Sequence, residues 1–188
     1  MANANAAPGT ALPPVPLTTF THLFNGVALT LAQITPDTKF DHWEARLNAL
    51  GRDIGRRSLE ALDREVARPR TTEDAVAFIS DAMFRRWFGQ PAAAIDADEL
   101  SVYITDDIAF LWQRPDPTRP HHLQPHLGAL VAGMIKGVLD QIGFGCQASA
   151  VYLEPSVDPE TQEPMPQTQF WIRWNASVIE RGRRMAAS

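Results

Sequence analysis

The sequence is poor in cysteine and lysine, and it lacks a long apolar run. Its 188 residues include one cysteine, Cys146, so no disulfide can form within the chain, and a reducing compartment is the simplest expectation. The net charge is -5, without the basic excess that nucleic-acid binding requires. No apolar stretch approaches the roughly 20 residues of a membrane span, so we expect membrane contact only peripherally or through partners.

The N-terminal segment has little that could build a core. Residues 1–16 are rich in alanine, asparagine and proline, and they lack the basic and apolar regions of a signal peptide. Proline-rich segments with few apolar side chains do not bury enough surface to fold. The sequence therefore predicts a disordered tail over residues 1–16 and a single domain over residues 17–185.

Apolar residues at steps of three and four predict three helices in the first half of the chain. The first covers Phe20 to Ile34, and the second begins at Phe40 with a stripe that continues to Val66. In the third, Thr71 and Asp74 have the spacing of a capping box, and Gly89 follows the last apolar residues. A fourth helix is predicted over Leu127–Ile142, with Gly143 after its end, and a short fifth over Ala176–Met185.

Alternating apolar residues predict four strands. They are Leu100–Ile104, Ile108–Trp112, Cys146–Leu153 and Thr168–Trp174, with Thr105-Asp106-Asp107 as a turn and Glu154–Gln167 as a long proline-rich loop. Helices in runs, and strands in hairpins, are typical of an α+β fold. We predict helices packed on one face of a four-stranded antiparallel sheet, in the order ααα-ββ-α-ββ-α.

The residues that most resemble a metal site are three histidines. His122 and His126 stand one helical turn apart, with His121 beside them, a spacing that metal ligands can use. However, Asp116 is the only Cys, Asp or Glu between Gln113 and Leu139, and prolines flank the cluster. An exposed loop is therefore the favoured interpretation, and no metal site is predicted.

The other chemical candidates also have simpler structural interpretations. Asp106 and Asp107 suit a tight turn, and Cys146 suits a half-buried strand position, where thiols are commonly inert. The arginines Arg52, Arg56 and Arg57 are expected to pair with Asp53 and Glu60 along one helix. The sequence contains no serine elbow, phosphate loop or dinucleotide fingerprint. It therefore predicts no catalytic residue and no cofactor.

Two pairs of glycines stand inside predicted helices. Gly51 and Gly55 are four residues apart, and so are Gly133 and Gly137. Each internal glycine costs about 1 kcal/mol relative to alanine, so something is expected to pack closely against these backbones. The neighbour can be a helix, a sheet or an apolar ligand, and packing within the domain is an equal alternative.

The predicted helices carry more large apolar surface than one sheet face can cover. Helices that are apolar over a wide arc are buried deeply or covered by a partner. The predicted partner-facing residues are Phe20, Phe24, Leu31, Trp43 and Leu47. Placement of the same residues in the domain core is the open alternative.

The chain resembles the small α/β-plait subunits of the transport protein particle (TRAPP), most closely the subunit 5 branch. The most specific matching segment is Val131–Leu139 with Gly143-Phe144. Weaker matches are Leu50–Arg57, Phe78–Gly89 and Tyr103–Asp106, in agreeing order from about Phe20 to Arg181. Three segments depart from the family's sequence pattern and are interpreted as loop insertions: the N-terminal tail, Pro115–Pro125 and Glu154–Gln167.

The resemblance implies helices over a four-stranded antiparallel sheet and a non-catalytic role in assembly. Such a subunit joins a related small subunit to an adaptor-like subunit in a complex that tethers vesicles between ER and Golgi. That complex acts as a guanine-nucleotide exchange factor for a Rab-type GTPase, which implies a cytoplasmic protein peripheral to ER and cis-Golgi membranes. A related member carries an acylated cysteine just before its third helix; here Arg68-Pro69-Arg70 stands there, so acylation is not expected.

Two alternatives remain open at the level of sequence. The chain can be a free-standing small-molecule or lipid-binding domain of similar fold, with an apolar pocket between helices and sheet. An enzyme is the third hypothesis, and its site would have to be built from His121 to His126. Copurifying family members would favour the first hypothesis, a bound ligand the second, and loss of activity after histidine substitution the third.

Overall fold

The computed structural model describes residues 26, 40–62, 68–92, 94–97, 101–106, 127–157 and 164–186. The helices in these ranges are α1 (Phe40–Glu60), α2 (Thr72–Ala77), α3 (Phe84–Phe88), α4 (Gly128–Gln141) and α5 (Ala176–Ala186), with a π-helical segment at Phe78–Met83 between α2 and α3. The strands are β1 (Ala94–Ala97), β2 (Ser101–Asp106), β3 (Cys146–Val157) and β4 (Pro164–Trp174).

The strands form one antiparallel sheet in the order β1-β2-β4-β3. Strands β2, β4 and β3 make up its body, and the four residues of β1 extend it beside β2. Helix α4, the described element that precedes β3 in the chain, packs on β3 and β4, while α1 packs along α4. The α+β class with helices and an antiparallel sheet is therefore confirmed.

Alternation along the strands gives the sheet one buried and one open face. Val102 and Ile104 of β2 are buried, as are Phe170 and Ile172 of β4. Since successive side chains in a strand point to opposite faces, the residues between them face away from the helices. Phe84 is buried and meets Phe170 edge-on at 6.1 Å between ring centroids, which joins α3 to the buried face of the sheet.

The predicted capping box at the start of α2 is confirmed. The Thr71 hydroxyl accepts from the backbone N–H of Asp74, and the Asp74 carboxylate accepts from the N–H of Thr71, both at 3.1 Å. The same carboxylate accepts from the N–H of Arg70 at 3.1 Å. These backbone hydrogen bonds, from Arg70 first and then Thr71, lower the pKa of Asp74. The helix therefore begins where local side chains satisfy its free N–H groups.

The third predicted helix is not a regular α-helix throughout. Its middle, Phe78–Met83, is π-helical, and the Ser80 carbonyl accepts from the backbone N–H of Ala92 at 2.8 Å. The π-helical segment was not predicted. A single wide turn shifts the apolar pattern by only one residue, so the sequence still resembles that of an ordinary α-helix. Gly89 ends α3 as predicted, with a φ of 84° in the left-handed region.

The end of α4 follows the glycine-terminated pattern expected from sequence. Gly143 has a φ of 87°, the N–H of Phe144 bonds to the Leu139 carbonyl at 2.8 Å, and the N–H of Gly143 bonds to the Asp140 carbonyl at 3.2 Å. This pair of bonds is a Schellman motif, which satisfies the last carbonyls of a helix. The motif directs the chain from α4 into β3.

The first hairpin differs from the prediction. Strand β2 pairs with Ala94–Ala97, which was not predicted as a strand, and the predicted partner Ile108–Trp112 lies outside the described residues. Thr105 and Asp106 belong to β2 rather than to a turn. The alanines and aspartate of β1 carry little strand propensity, so pairing with β2, rather than local sequence, defines this strand. The predicted strand order is thus not confirmed strand by strand.

The second hairpin is longer than predicted. Strands β3 and β4 reach Val157 and Pro164, so the predicted loop over Glu154–Gln167 was wrong in extent. The register shifts between Leu153 and Ser156, which places Pro155 at an irregularity. Proline lacks the N–H that a ladder needs and is tolerated at such positions, which is why its presence did not end the strand.

Several predictions fall outside the described residues. They are the tail over residues 1–16, the strand Ile108–Trp112, the loop Pro115–Pro125 and the histidines 121, 122 and 126. Of the first predicted helix only Gly26 is described, and it is helical and exposed. The continuation of the second helix over residues 63–67 is also outside.

Candidate functional site

Helices α1 and α4 meet through their glycines. A Cβ added to Gly51 would overlap the backbone carbonyl of Leu130, and one added to Gly55 would overlap the carbonyl of Met134. Both glycines are buried. The backbone of α4 therefore occupies the space where α1 would otherwise carry side chains.

The contact is reciprocal. A Cβ on Gly133 would overlap the carbonyl of Asn48, and one on Gly137 would overlap the carbonyl of Arg52. The numbers rise together along both helices, so α1 and α4 run parallel at this contact. The sequence predicted a close neighbour for each glycine pair. For the glycines of α1 that neighbour is the backbone of α4, and for the glycines of α4 it is the backbone of α1.

Each glycine Cα faces a carbonyl oxygen of the other helix. This arrangement permits Cα–H···O contacts, each worth about 0.5–1 kcal/mol, which recur where two helix backbones approach closely. Small residues spaced by four are the usual means of such an approach. The glycines therefore offset their helix-propensity cost through close packing.

A charged cluster lies beside this contact. The Arg52 guanidinium of α1 contacts Asp140 of α4, with Nη2 and Oδ2 2.9 Å apart. Lys136 reaches both oxygens of the same carboxylate, at 3.2 Å and 3.1 Å. The Oδ2 contacts lack hydrogen-bond geometry, so the attraction there is coulombic. The side chains of Lys136 and Asp140 are only 23% and 21% exposed, so screening by water is weaker than at the surface.

The helices also bond to strand β3. Lys136 donates to the carbonyl of Cys146 at 2.5 Å, and Asn48 donates to the carbonyl of Ala148 at 3.3 Å. Strand β3 is the last strand of the described sheet, and its ladder partner β4 lies on the other side. Side chains from α4 and α1 therefore satisfy carbonyls that an edge strand would leave open to another chain.

The single cysteine is inert in this setting. Cys146 begins β3 and is 1% exposed. Burial raises the pKa of its thiol to about 12, and the nearby Lys136 charge opposes that rise only in part. Because the thiolate is the reactive form, a thiol with this pKa and burial is a poor nucleophile. Cys146 thus behaves as the core residue that its strand position predicted.

The residues predicted to face a partner divide into two groups. Trp43 and Leu47 are 7% and 0% exposed within the chain itself, so they lie in the core as the alternative interpretation expected. They are not available to a partner in this conformation. Phe20, Phe24 and Leu31 lie outside the described residues, and their partner-facing role stays a prediction.

The structure gives no chemical role to the remaining candidates among the described residues. Arg52, which was expected to pair along its own helix, pairs with Asp140 of α4. Within the ranges that the structure describes, no three His, Cys, Asp or Glu residues come together as metal ligands. In the same ranges, no helix combines the length and apolar character that crossing a bilayer requires.

The open face of the sheet was not recognised from sequence. Tyr103 lies directly opposite Trp171, and Trp171 lies opposite Ser149. Trp171 is 38% exposed and Val151 is 43% exposed. Trp171 stands out of phase with Phe170 and Ile172 along β4, so the alternation of this strand already indicates that its side chain faces away from the core.

Comparison with known proteins agrees with this fold. The family model described as transport protein particle (TRAPP) component matches residues 20–174. The chain belongs to the TRAPP component family. A comparison with curated protein sequences gives no significant match. The family match spans most of the described helices and all of the described sheet, so membership concerns the domain as a whole.

Solved structures are similar at the level of the fold. The crystal structure of a trafficking protein particle complex subunit 3 from Naegleria fowleri, covalently bound to palmitic acid, has a TM-score of 0.58 and 15% identity, and the match covers 85% of this chain and 95% of that chain. A point mutant of the T. tengcongensis H-NOX protein has a TM-score of 0.47 and 10% identity, covering 88% and 78%. At that score the second likeness indicates neither fold nor ligand.

Proposed function

We propose that the chain is a non-catalytic scaffold subunit of the TRAPP complex, of the subunit 5 branch. The observation that carries the proposal is the family match over residues 20–174, together with the α+β fold of the described residues. In this proposal the chain joins a related small subunit to an adaptor-like subunit. The complex tethers vesicles between ER and Golgi and exchanges nucleotide on a Rab-type GTPase.

The packing of the described residues supports a scaffold more than a chemical site. Helices α1 and α4 are locked by reciprocal backbone contacts, and their polar side chains bind carbonyls of β3 rather than a cavity. A rigid unit of this kind presents fixed surfaces to its neighbours, which assembly requires. The cytoplasmic location, peripheral to ER and cis-Golgi membranes, follows from the proposed complex.

Covalent lipid is not part of the proposed role. The subunit 3 structure carries palmitic acid covalently, whereas the position before α2 in this chain reads Arg68-Pro69-Arg70. The single cysteine is buried at the start of β3, with a thiol pKa of about 12. We therefore propose that the subunit assembles without acylation.

Copurification tests the proposal. A tagged chain expressed in its native cells should recover related small TRAPP subunits, identified by mass spectrometry. The purified assembly should accelerate release of labelled GDP from a Rab-type GTPase, and the isolated chain should not. Recovery of a lone monomer would overturn the proposal, and a lipid or aromatic ligand on that monomer in native mass spectrometry would favour the binding-domain alternative.

A variant pair sharpens the same experiment. Replacing Phe20 and Phe24 with aspartate should reduce recovery of the partner subunits, since these residues are proposed to face a partner. Ile54→Ser is the matched control, because Ile54 is an exposed apolar residue of α1 that the proposal does not use. Equal recovery by all three proteins would show that Phe20 and Phe24 do not lie in the interface.

A further inference from the structure

The π-helical segment between α2 and α3 redirects one backbone carbonyl out of the helix. In a regular α-helix the N–H of Phe84 would donate to the carbonyl of Ser80, four residues earlier. Here that N–H donates instead to the carbonyls of Ile79 and Asp81. The carbonyl of Ser80 accepts from the N–H of Ala92 at 2.8 Å. The wide turn thus supplies an acceptor to a residue beyond the end of α3.

The side chain of Ser80 takes part in the same turn. Ser80 is 5% exposed, and its hydroxyl donates to the carbonyl of Ala77 at 3.3 Å. A serine that bonds back to the preceding turn weakens and bends a regular helix. The neighbouring side chains of Ile79 and Met83 are fully buried, so the turn is set in the core. The acceptor for Ala92 is therefore held in a fixed position.

The bond from Ala92 to Ser80 also positions the start of strand β1. Helix α3 ends at Gly89, whose φ of 84° turns the chain away from the helix axis. Strand β1 begins at Ala94, two residues after Ala92. The bond therefore fixes the point from which the chain enters the edge of the sheet.

Strand β1 is the weakest strand of the described sheet. It has four residues, and it pairs with β2 from Ala94 opposite Thr105 to Ala97 opposite Val102. Alanine and aspartate are depleted in strands, and β1 has a neighbour on one side only in the described strand order. Short elements at the edge of a fold open at a lower free energy than its core. A contact that holds the entry to β1 therefore has a large influence on this strand.

We infer that the hydrogen bond from Ala92 to Ser80 is a latch for strand β1, which opens and closes separately from the rest of the sheet. With the latch closed, β1 covers the edge of β2. With the latch open, the backbone groups of β2 that face β1 are uncovered, and proteins normally keep such an edge covered. The π-helical turn therefore controls access to this edge through one carbonyl. The inference is independent of the proposed function, since its test uses the isolated chain.

Hydrogen exchange of the full chain, followed by mass spectrometry of peptic peptides, tests the inference. In the unaltered chain, β1 should exchange faster than β4 and with little dependence on added urea, because local opening exposes little surface. Ala92→Pro removes the donor N–H of the latch. It should accelerate exchange in peptides that cover β1 and β2 about two- to tenfold, as expected for the loss of one backbone hydrogen bond. Exchange in β3 and α4 should not change.

Two further variants at the same position serve as controls. Ala92→Ser keeps the N–H and adds a single oxygen, so its β1 should exchange at the unaltered rate. Ala92→lactic acid, made by chemical ligation, replaces the N–H with an ester oxygen and keeps the methyl group. It should accelerate β1 as Ala92→Pro does, and it keeps the test valid if Ala92→Pro does not fold. Thermal unfolding checks the fold of each variant. Unchanged exchange of β1 in the folded ester variant, or exchange of β1 only together with β4, would overturn the inference.

Discussion

Gly133 lies against the backbone carbonyl of Asn48, so closely that a Cβ atom at position 133 would overlap the carbonyl oxygen. The relationship explains why a helix tolerates an internal glycine at a fully buried position. Replacement with a larger residue must move a backbone, not a flexible side chain. Stability should therefore depend on this glycine far more than its size suggests.

Gly133→Ala should destabilise the chain by about 3 kcal/mol, at the upper end of the cost of overpacking a core. Gly182→Ala is the matched control, because Gly182 lies in α5 with open space where a Cβ would stand. Alanine there should raise stability by about 0.5–1 kcal/mol. Urea unfolding gives both values, and similar effects for the two variants would contradict the close approach of α1 and α4.

Lys136→Met should cost about 1–3 kcal/mol. The change removes the donor to the Cys146 carbonyl and one of the two cations that neutralise Asp140. Arg85→Met serves as the comparison, because both side chains of the Arg85–Asp81 pair are exposed and such pairs contribute little. Chemical denaturation of the two variants should differ clearly; an equally small effect for Lys136→Met would show that the cluster adds nothing.

The contribution of Asp74 should depend on pH. Hydrogen bonds from Arg70 and Thr71 lower its pKa in the folded state, so that the folded chain binds fewer protons than the unfolded chain near that pKa. The stabilisation is thus present above the unfolded pKa of about 3.9 and disappears as pH falls through the folded value. Asp74→Asn should lower the thermal midpoint at pH 7 and approach the unaltered chain at strongly acidic pH.

Thr71→Ala supplies the control for that titration. It removes the other half of the capping box and should cost about 1 kcal/mol. Its pH dependence should be smaller than that of Asp74→Asn, because the backbone hydrogen bonds from Arg70 and Thr71 lower the pKa of Asp74 more than the Thr71 hydroxyl does. Thermal unfolding at a series of pH values compares the two variants. A difference between Asp74→Asn and the unaltered chain that grows towards acidic pH would contradict the assigned hydrogen bonds.

Cys146 should resist thiol reagents and acyl donors in the native state. With 1% exposure and a pKa of about 12, its thiol should react with iodoacetamide only after unfolding. Intact-mass spectrometry after treatment with palmitoyl-CoA should show no added acyl group. Labelling of the native chain at the rate of the denatured chain would overturn both the burial and the expectation that this subunit assembles without acylation.

The helices were more predictable than the strand edges for a physical reason. The Thr71 capping box and the Gly89 and Gly143 ends are encoded by a few adjacent residues, so local sequence suffices to predict them. Strand β1 has only four residues and is defined by its pairing with β2, which begins a few residues further along the chain. Its residues alone do not favour a strand.

The site was predictable only in part for a similar reason. The spacing of Gly51, Gly55, Gly133 and Gly137 indicates a close neighbour, but it does not say which backbone the neighbour is. Trp43 and Leu47 carry the same apolar signal whether a partner or the core covers them, and the structure places them in the core. Trp171 was overlooked because one apolar face of β4 already explained the alternation.

The contacts of Arg52 with Asp140 and of Asn48 with strand β3 favour a single register of the parallel helices α1 and α4. Both glycine pairs are spaced by four, so sliding α1 by four residues along α4 would still set one glycine of each pair opposite a carbonyl. That slip would separate Arg52 from Asp140 and Asn48 from the Ala148 carbonyl. The glycines thus permit several alignments of two smooth surfaces, and three polar side chains select one of them, as a buried asparagine does in a coiled coil.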